Sequence, residues 1–350
     1  MKKIMLLLVL IIHLSPSFCT EVILEFTDDK KDDYGDGKVV YPGHSMFQPG
    51  IFDIEQFRIE DKGDYYKFVV RVRGKVNYVT FDEYQFRYNL PEKFIFPLIH
   101  IYIDTDHVEN SGIRETILGV NATINEESAW ERAVVFSSIP QRYRLYMEHF
   151  QIPFSNRVDI PPKIYLSKNK KEISVRVGKQ FIGEIQSEWG FTILMLGHDV
   201  AKTIKKNVYV MEVKASSSQF NFGGGHTTLY ERYNSNIIDM IVPPFQYQKR
   251  ILSNYSVGEK RYPEIGAVYK SYKKMKPNIA IGEVKQVSSD KLVINLGAKH
   301  GVVTGIKLII ASQFIVEVDD VFPEICVAHY LNDSDADIIE KGMEATIWKE

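Results

Sequence analysis

Two short stretches carry enough closely spaced oxygen ligands to hold a metal ion. The first is Asp32-Asp-Tyr-Gly-Asp-Gly, which offers Asp32, Asp33 and Asp36; the second closes Ile101-Tyr-Ile-Asp-Thr-Asp and offers Asp104, Asp106 and Asn110. Hard carboxylate and carbonyl oxygens in flexible loops suit Ca2+, which takes roughly 6–8 of them at once. Neither stretch has EF-hand spacing, and aspartates also favour turns for their own local hydrogen bonds. Both readings stay open, and Ca2+ is the only cofactor the sequence suggests.

The second chemistry on offer is stacking against sugar rings, which needs flat aromatic faces beside polar groups. The candidates expected in loops are Tyr34, Trp130, Tyr143, Tyr146 and Phe222. Tyr143 and Tyr146, flanked by Arg142 and Arg144, are expected to stand exposed. Core packing is the competing fate of any aromatic, and Trp189, at a strand entrance, is expected inside.

Catalysis finds no comparable footing. His100, His149, His198 and His226 are scattered without metal-ligand spacing, Ser216-Ser-Ser has no nucleophile-elbow context, and Glu126 and Glu127 read as solvated neighbours. Gly223-Gly-Gly lacks the G-x-x-x-x-G-K-[ST] form of a phosphate cradle and reads as a bulge or a close backbone approach. No catalytic residue is assigned, and the chain is expected not to be an enzyme.

The elements that must position these loops read as strands. Around Pro49-Gly-Ile-Phe-Asp-Ile and Asp64-Tyr-Tyr-Lys-Phe-Val-Val-Arg-Val, polar and apolar residues alternate, and a turn at Asp61-Lys-Gly joins the two into a hairpin. Further strands are expected at residues 98–106, 132–137, 163–166, 172–177 and 189–199, the last apolar enough to be covered on both faces. Residues 179–185 and 245–252 read as short helices. The expected class is all-β: a large antiparallel β-sandwich with a few short helices over 20–254, a Lys- and Tyr-rich linker over 255–277, and a small C-terminal β-barrel over 278–350.

The chain has 350 residues, 45% hydrophobic and 25% charged, a globular composition long enough for two domains. Lys2 and Lys3, an apolar run from Ile4 to Leu14 and the small residues near Cys19 predict a signal peptide over 1–19. Cleavage before Thr20 and lipidation of Cys19 are both considered, and the destination is periplasm, surface or medium. After cleavage following Cys19, Cys326 is the only cysteine left, which excludes an intramolecular disulfide. Losing Lys2 and Lys3 from 43 basic residues leaves 41 against 45 acidic, a net of about −4, with no basic block suited to nucleic acid.

Several segments in order carry a family likeness: Asp32-Asp-Tyr-Gly with Tyr41-Pro, Pro49-Gly-Ile-Phe-Asp-Ile, Ile101-Tyr-Ile-Asp, Trp189-Gly-Phe-Thr-Ile-Leu, Phe222-Gly-Gly-Gly, Asn236-Ile-Ile-Asp, and Gln248 with Ile251-Leu. Over about residues 21–260 the chain resembles the C-terminal, DOMON-like β-sandwich module of glucodextranases and related amylolytic enzymes. The resemblance implies an accessory carbohydrate-binding or wall-associating role and brings no catalytic domain with it. It departs between Asn121 and Val158, where Ile139-Pro-Gln-Arg-Tyr-Arg-Leu-Tyr is unusually basic and aromatic. From Ile281-Gly-Glu-Val through Val293-Ile-Asn-Leu-Gly to His300-Gly-Val-Val-Thr-Gly, the C-terminal unit is similar to the barrel that ends flagellar assembly T proteins, which implies docking.

Two functions follow as expectations. One is an exported, non-catalytic module that binds a polysaccharide or envelope glycan, with no transmembrane segment in the mature chain. The other is an envelope assembly protein that binds protein partners through its barrel.

Overall fold

The computed structural model describes residues 21–79, 91–199, 210–225, 233–243, 246, 248–270, 282–300, 302–311, 313–332, 335–336 and 338–347. The expected signal peptide, Cys19, His226 and residues 271–277 of the expected linker lie outside them.

The first sheet begins with β1 (Glu21–Thr27), β2 (Ile54–Asp61) and β3 (Tyr65–Val72). The second is centred on β4 (Pro97–Asp104), followed by the short β5 (Thr123–Ile124) and β6 (Arg132–Phe136). Helix α1 (Pro140–His149) leads to β7 (Val158–Asp159), β8 (Tyr165–Leu166) and β9 (Glu172–Gly178). One helical turn, α2 (Lys179–Ile182), precedes β10 (Gly190–Gly197), then come β11 (Asp239–Met240), α3 (Gln248–Ser253), β12 (Glu264–Ile265) and β13 (Val268–Tyr269).

Sheet one runs β1-β2-β3-β9-β8, and sheet two runs β11-β10-β4-β6-β7 with β13 also on β10. The expected hairpin is β2–β3, antiparallel with Ile59 opposite Phe68. A register shift between Ile54 and Gln56 interrupts the simple alternation, so that Ile54, Phe57 and Ile59 all reach the core. Phe57, Phe68, Val70 and Val175 of sheet one pack in one cluster with Ile101, Val134, Phe191 and Ile193 of sheet two. Each such side chain contributes roughly 1.5–3 kcal/mol by leaving water, which lets a sandwich without a disulfide stand.

Sheet two is buried on both faces, as the apolar run of β10 predicts. Its far face carries Leu98, Tyr102, Val135 and Leu194, covered by Trp130, Tyr143, Tyr146 and Met147 among others. The linker expectation is corrected here. Residues 264–269 belong to the sandwich: β12 pairs parallel with β5, β13 pairs with β10, and Ile265, Val268 and Tyr269 are buried. Strands of two residues carry no periodicity, so their sequence reads as connection.

The C-terminal unit is the expected barrel. Strands β14 (Gly282–Val287), β15 (Lys291–Ile294), β16 (Lys307–Ile310), β17 (Phe314–Val321), β18 (Cys326–Tyr330) and β19 (Glu344–Ile347) close in the order β14-β15-β18-β17-β16-β19. Cys326 is buried inside it, with its thiol pushed up to about 11 by burial, which makes it unreactive. Among the described residues, no helix is long and apolar enough to cross a membrane.

Candidate functional site

The first acidic loop does not gather as a unit. Asp32 meets Asp28, just past β1, and Asp239 on β11, with one carboxylate oxygen of each within 4.8 Å of the others. Gln248 at the start of α3 fixes this meeting: its amide Nε2 donates to the carbonyls of Asp32 (2.6 Å) and Gly35 (3.2 Å), while its Oε1 accepts from Met240 N (2.7 Å). Asp239 has no exposure and accepts from the backbone N–H groups of Ile54 (2.5 Å) and Met240 (2.9 Å). Oδ2 of Asp28 and Oδ1 of Asp32 are buried without a hydrogen-bond partner among the described residues.

Burial is the main cause that pushes all three carboxyls up. Asp28 and Asp239 lie well above the usual carboxylate range, and Asp32 is raised to about 7, with neighbouring aspartates adding to each. Buried oxygens of this kind need either a proton or a cation. The other two acids of the loop are engaged elsewhere, so the expected set is corrected. Asp33 accepts from Tyr41 Oη and pairs with Arg73 (3.8 Å), and Asp36 accepts from Lys38 N (3.1 Å).

The second acidic loop brings Asp104 and Asp106 together with Glu131 from the start of the β6 segment, again within 4.8 Å. Protein donors reach these acids. Asp104 accepts from Tyr269 Oη (2.6 Å), Asp106 N (3.2 Å) and His107 N (2.7 Å), and Asp106 from Val108 N (3.0 Å) and Ser111 Oγ (2.8 Å). Glu131 accepts from Thr105 N (2.8 Å) and keeps one buried oxygen without a partner; burial, first of all, raises its carboxyl. Asn110 is exposed, in the left-handed region at φ 62°.

The aromatic expectation is corrected for four of five residues. Tyr143 and Tyr146 lie on α1 and, with Met147, make its buried face at i, i+3 and i+4 spacing. Tyr143 Oη meets Nε2 of the buried His100 at 2.9 Å; burial, then His198, lowers His100 to about 3. Trp130 donates from Nε1 to Glu115 O (3.0 Å), and its ring packs edge-on to Phe154. Phe222 packs against Tyr41 and Phe52 inside the sandwich. Burial removes all four as stacking platforms. Tyr34, 38% exposed beside the first acidic loop, is the one left at the surface. The Gly223–Gly225 loop is a close backbone approach: a Cβ on Gly224, at φ +94°, would fall 1.8 Å from Lys38 O.

A surface the sequence reading missed lies on the outer face of sheet one. Tyr65 and Lys67 of β3, Tyr165 of β8, and Glu172, Ser174 and Arg176 of β9 line a cleft of about 310 Å³. Strand pairing sets them: Lys67 lies opposite Arg176, Tyr165 opposite Ser174, and Tyr65 opposite Gly178. The Arg176 guanidinium lies 5.1 Å from the Tyr65 ring and 5.2 Å from the Tyr165 ring, and Lys163 Nζ lies 5.0 Å from the latter. Both tyrosines are half-buried and so are held in place while part of each stays in solvent. Period-two alternation in Asp64-Tyr-Tyr-Lys-Phe, which sends Tyr66 inward and Tyr65 outward, was the signal available for one of them.

A sandwich that shows solvent a cleft of tyrosines and cations has a surface suited to binding. The family comparison agrees: the model for the C-terminal binding module, SLH-like, of glucodextranase matches residues 23–266, from within β1 to just beyond β12. The chain belongs to that family. No curated protein matches the chain.

Proposed function

We propose that the chain is an exported, non-catalytic module that holds a carbohydrate of the cell envelope, with Ca2+ bound in its sandwich. The observation that carries the reading is the β3–β8–β9 cleft, in a chain whose family is a binding module. Tyrosine rings there supply flat apolar faces, and Lys67 and Arg176 supply donors at their rims. Glycoside hydrolysis ordinarily needs two carboxylates flanking the bond. Of the residues lining the cleft one is a carboxylate, Glu172, and Arg58 holds it bidentately at 3.0 and 3.2 Å. Export rests on Lys2, Lys3 and the apolar run from Ile4 to Leu14.

For the cation, support comes from Asp28, Asp32 and Asp239: three hard-oxygen donors, two of them with an orphaned buried oxygen. Asp104 and Asp106 carry no such demand, because protein donors already reach them.

Replacing Tyr65 and Tyr165 together by Ala is expected to weaken retention on immobilised polysaccharide at least about tenfold, about 1.4 kcal/mol for the two rings together. Affinity electrophoresis with a parallel thermal melt is the measurement. Undiminished retention by a folded double variant would remove the cleft from the function.

A second reading, docking of a protein partner through the barrel unit, is favoured by its exposed Val303, Phe322, Leu331 and Ile338.

A further inference from the structure

The cleft carries more positive charge than its own fold consumes. Arg176 and Lys163 make no ion pair among the described residues, and their contacts are with tyrosine rings. Lys67 has a long pair to Glu60 at 3.9 Å, an acid already held by Arg58 (3.0 Å) and Lys62 (3.0 Å). Glu172, the one carboxylate lining the cleft, is committed to Arg58. Two neighbouring cations are matched: Arg71 of β3 pairs with Glu55 at 3.1 Å, and Lys179 of α2 with Asp61 at 2.9 Å.

We infer that the cleft takes an acidic polysaccharide, one bearing carboxylate groups, with Arg176 pairing a carboxylate between the rings of Tyr65 and Tyr165. This rests on the glycan-binding reading above and narrows it to a substrate class. A guanidinium stacked on aromatic rings is engaged through its faces, which leaves the N–H edge for an in-plane, two-point bond to a carboxylate. The rings hold the fork in place, so less side-chain freedom is lost when the anion arrives. Lys67 and Lys163 add attraction without geometry.

Three polymers with one backbone separate the outcomes: dextran, carboxymethyl-dextran and dextran sulfate, tested by affinity electrophoresis and titration calorimetry on the full chain. The expected result is binding of carboxymethyl-dextran at least about tenfold tighter than dextran at low salt, a preference that shrinks as salt screens exposed charge. In Arg176→Gln the ratio of the two affinities should fall to about one, and Arg176→Lys, which keeps the charge and loses the fork, should give an intermediate ratio. A preference for dextran sulfate over carboxymethyl-dextran overturns the carboxylate assignment. Equal binding of dextran and carboxymethyl-dextran by the wild type overturns the inference and leaves the glycan-binding reading standing. An unchanged ratio in a folded Arg176→Gln moves the acidic site away from this cleft. Failure of every polymer to bind sinks both readings.

Discussion

Two groups of three carboxylates stand in one sandwich; protein donors reach Asp104 and Asp106 of one group, where Glu131 alone keeps an unpartnered oxygen, while the other group leaves such oxygens on both Asp28 and Asp32. Around Asp104 and Asp106 the loop turns its own N–H groups inward, and Tyr269 adds a hydroxyl from β13. Around Asp28, Asp32 and Asp239 two backbone donors go to Asp239, while one buried oxygen of Asp28 and one of Asp32 find none among the described residues. Proximity of acids is therefore a poor guide to metal binding. What separates the groups is whether the backbone has already supplied the positive ends of dipoles that a cation would otherwise provide.

The largest test of this contrast is Asp239→Ala. It strands the buried N–H of Ile54, leaves Met240 N with Gln248 Oε1 alone and removes the deepest ligand of the proposed cation, so a loss of about 2 kcal/mol or more is expected in urea unfolding. The variant should also stop responding to Ca2+; a variant that keeps the wild-type calcium response would place the ion elsewhere.

Next is the ion itself. At a hundredfold excess over its Kd, Ca2+ should stabilise the folded chain by about 2.7 kcal/mol, seen as a higher melting temperature that a chelator reverses. The pH dependence in chelator has a definite sign. Asp32 is raised from 3.8 to about 7 in the fold, and Asp28 and Asp239 are raised as well, so the folded state keeps protons the unfolded chain has released. Stability contributed by these groups is then full below about pH 4 and falls as pH rises toward 7. Saturating Ca2+ should reverse that slope, because protons compete with the metal. A flat profile in chelator would show that the three acids are not strained by their burial.

The smallest effect belongs to the second group. Tyr269→Phe removes one hydrogen bond to Asp104 and should cost about 1 kcal/mol, equally with and without calcium. A calcium-dependent cost would erase the distinction drawn between the two groups.

Much of the architecture could be read from the chain. Alternation marked β2 and β3, the apolar run marked β10 as a strand buried on both faces, and short strands with turns marked the barrel. Helix α1 escaped because its exposed face supplies Arg142, Arg144 and Leu145, which dilute the buried triplet of Tyr143, Tyr146 and Met147. The site was legible only in part, for a plain reason. Asp32 announces itself in an acidic loop, whereas Asp28, Asp239 and Glu131 are single acids whose partners are fixed by strand pairing far away in the sequence. The cleft is the same kind of object: Tyr65 and Arg176 become neighbours through the β3–β9 register.

Gln248 has a bearing on how the molecule comes together. Its amide is the rivet between the loop that follows the first strand and the pair of residues that nearly completes sheet two. A growing chain that has not yet reached Gln248 has no side chain to tie the Asp32 loop to Met240. Uptake of the proposed ion would then follow the docking of Gln248 on the Asp32 loop, so that binding would report a sandwich already closed.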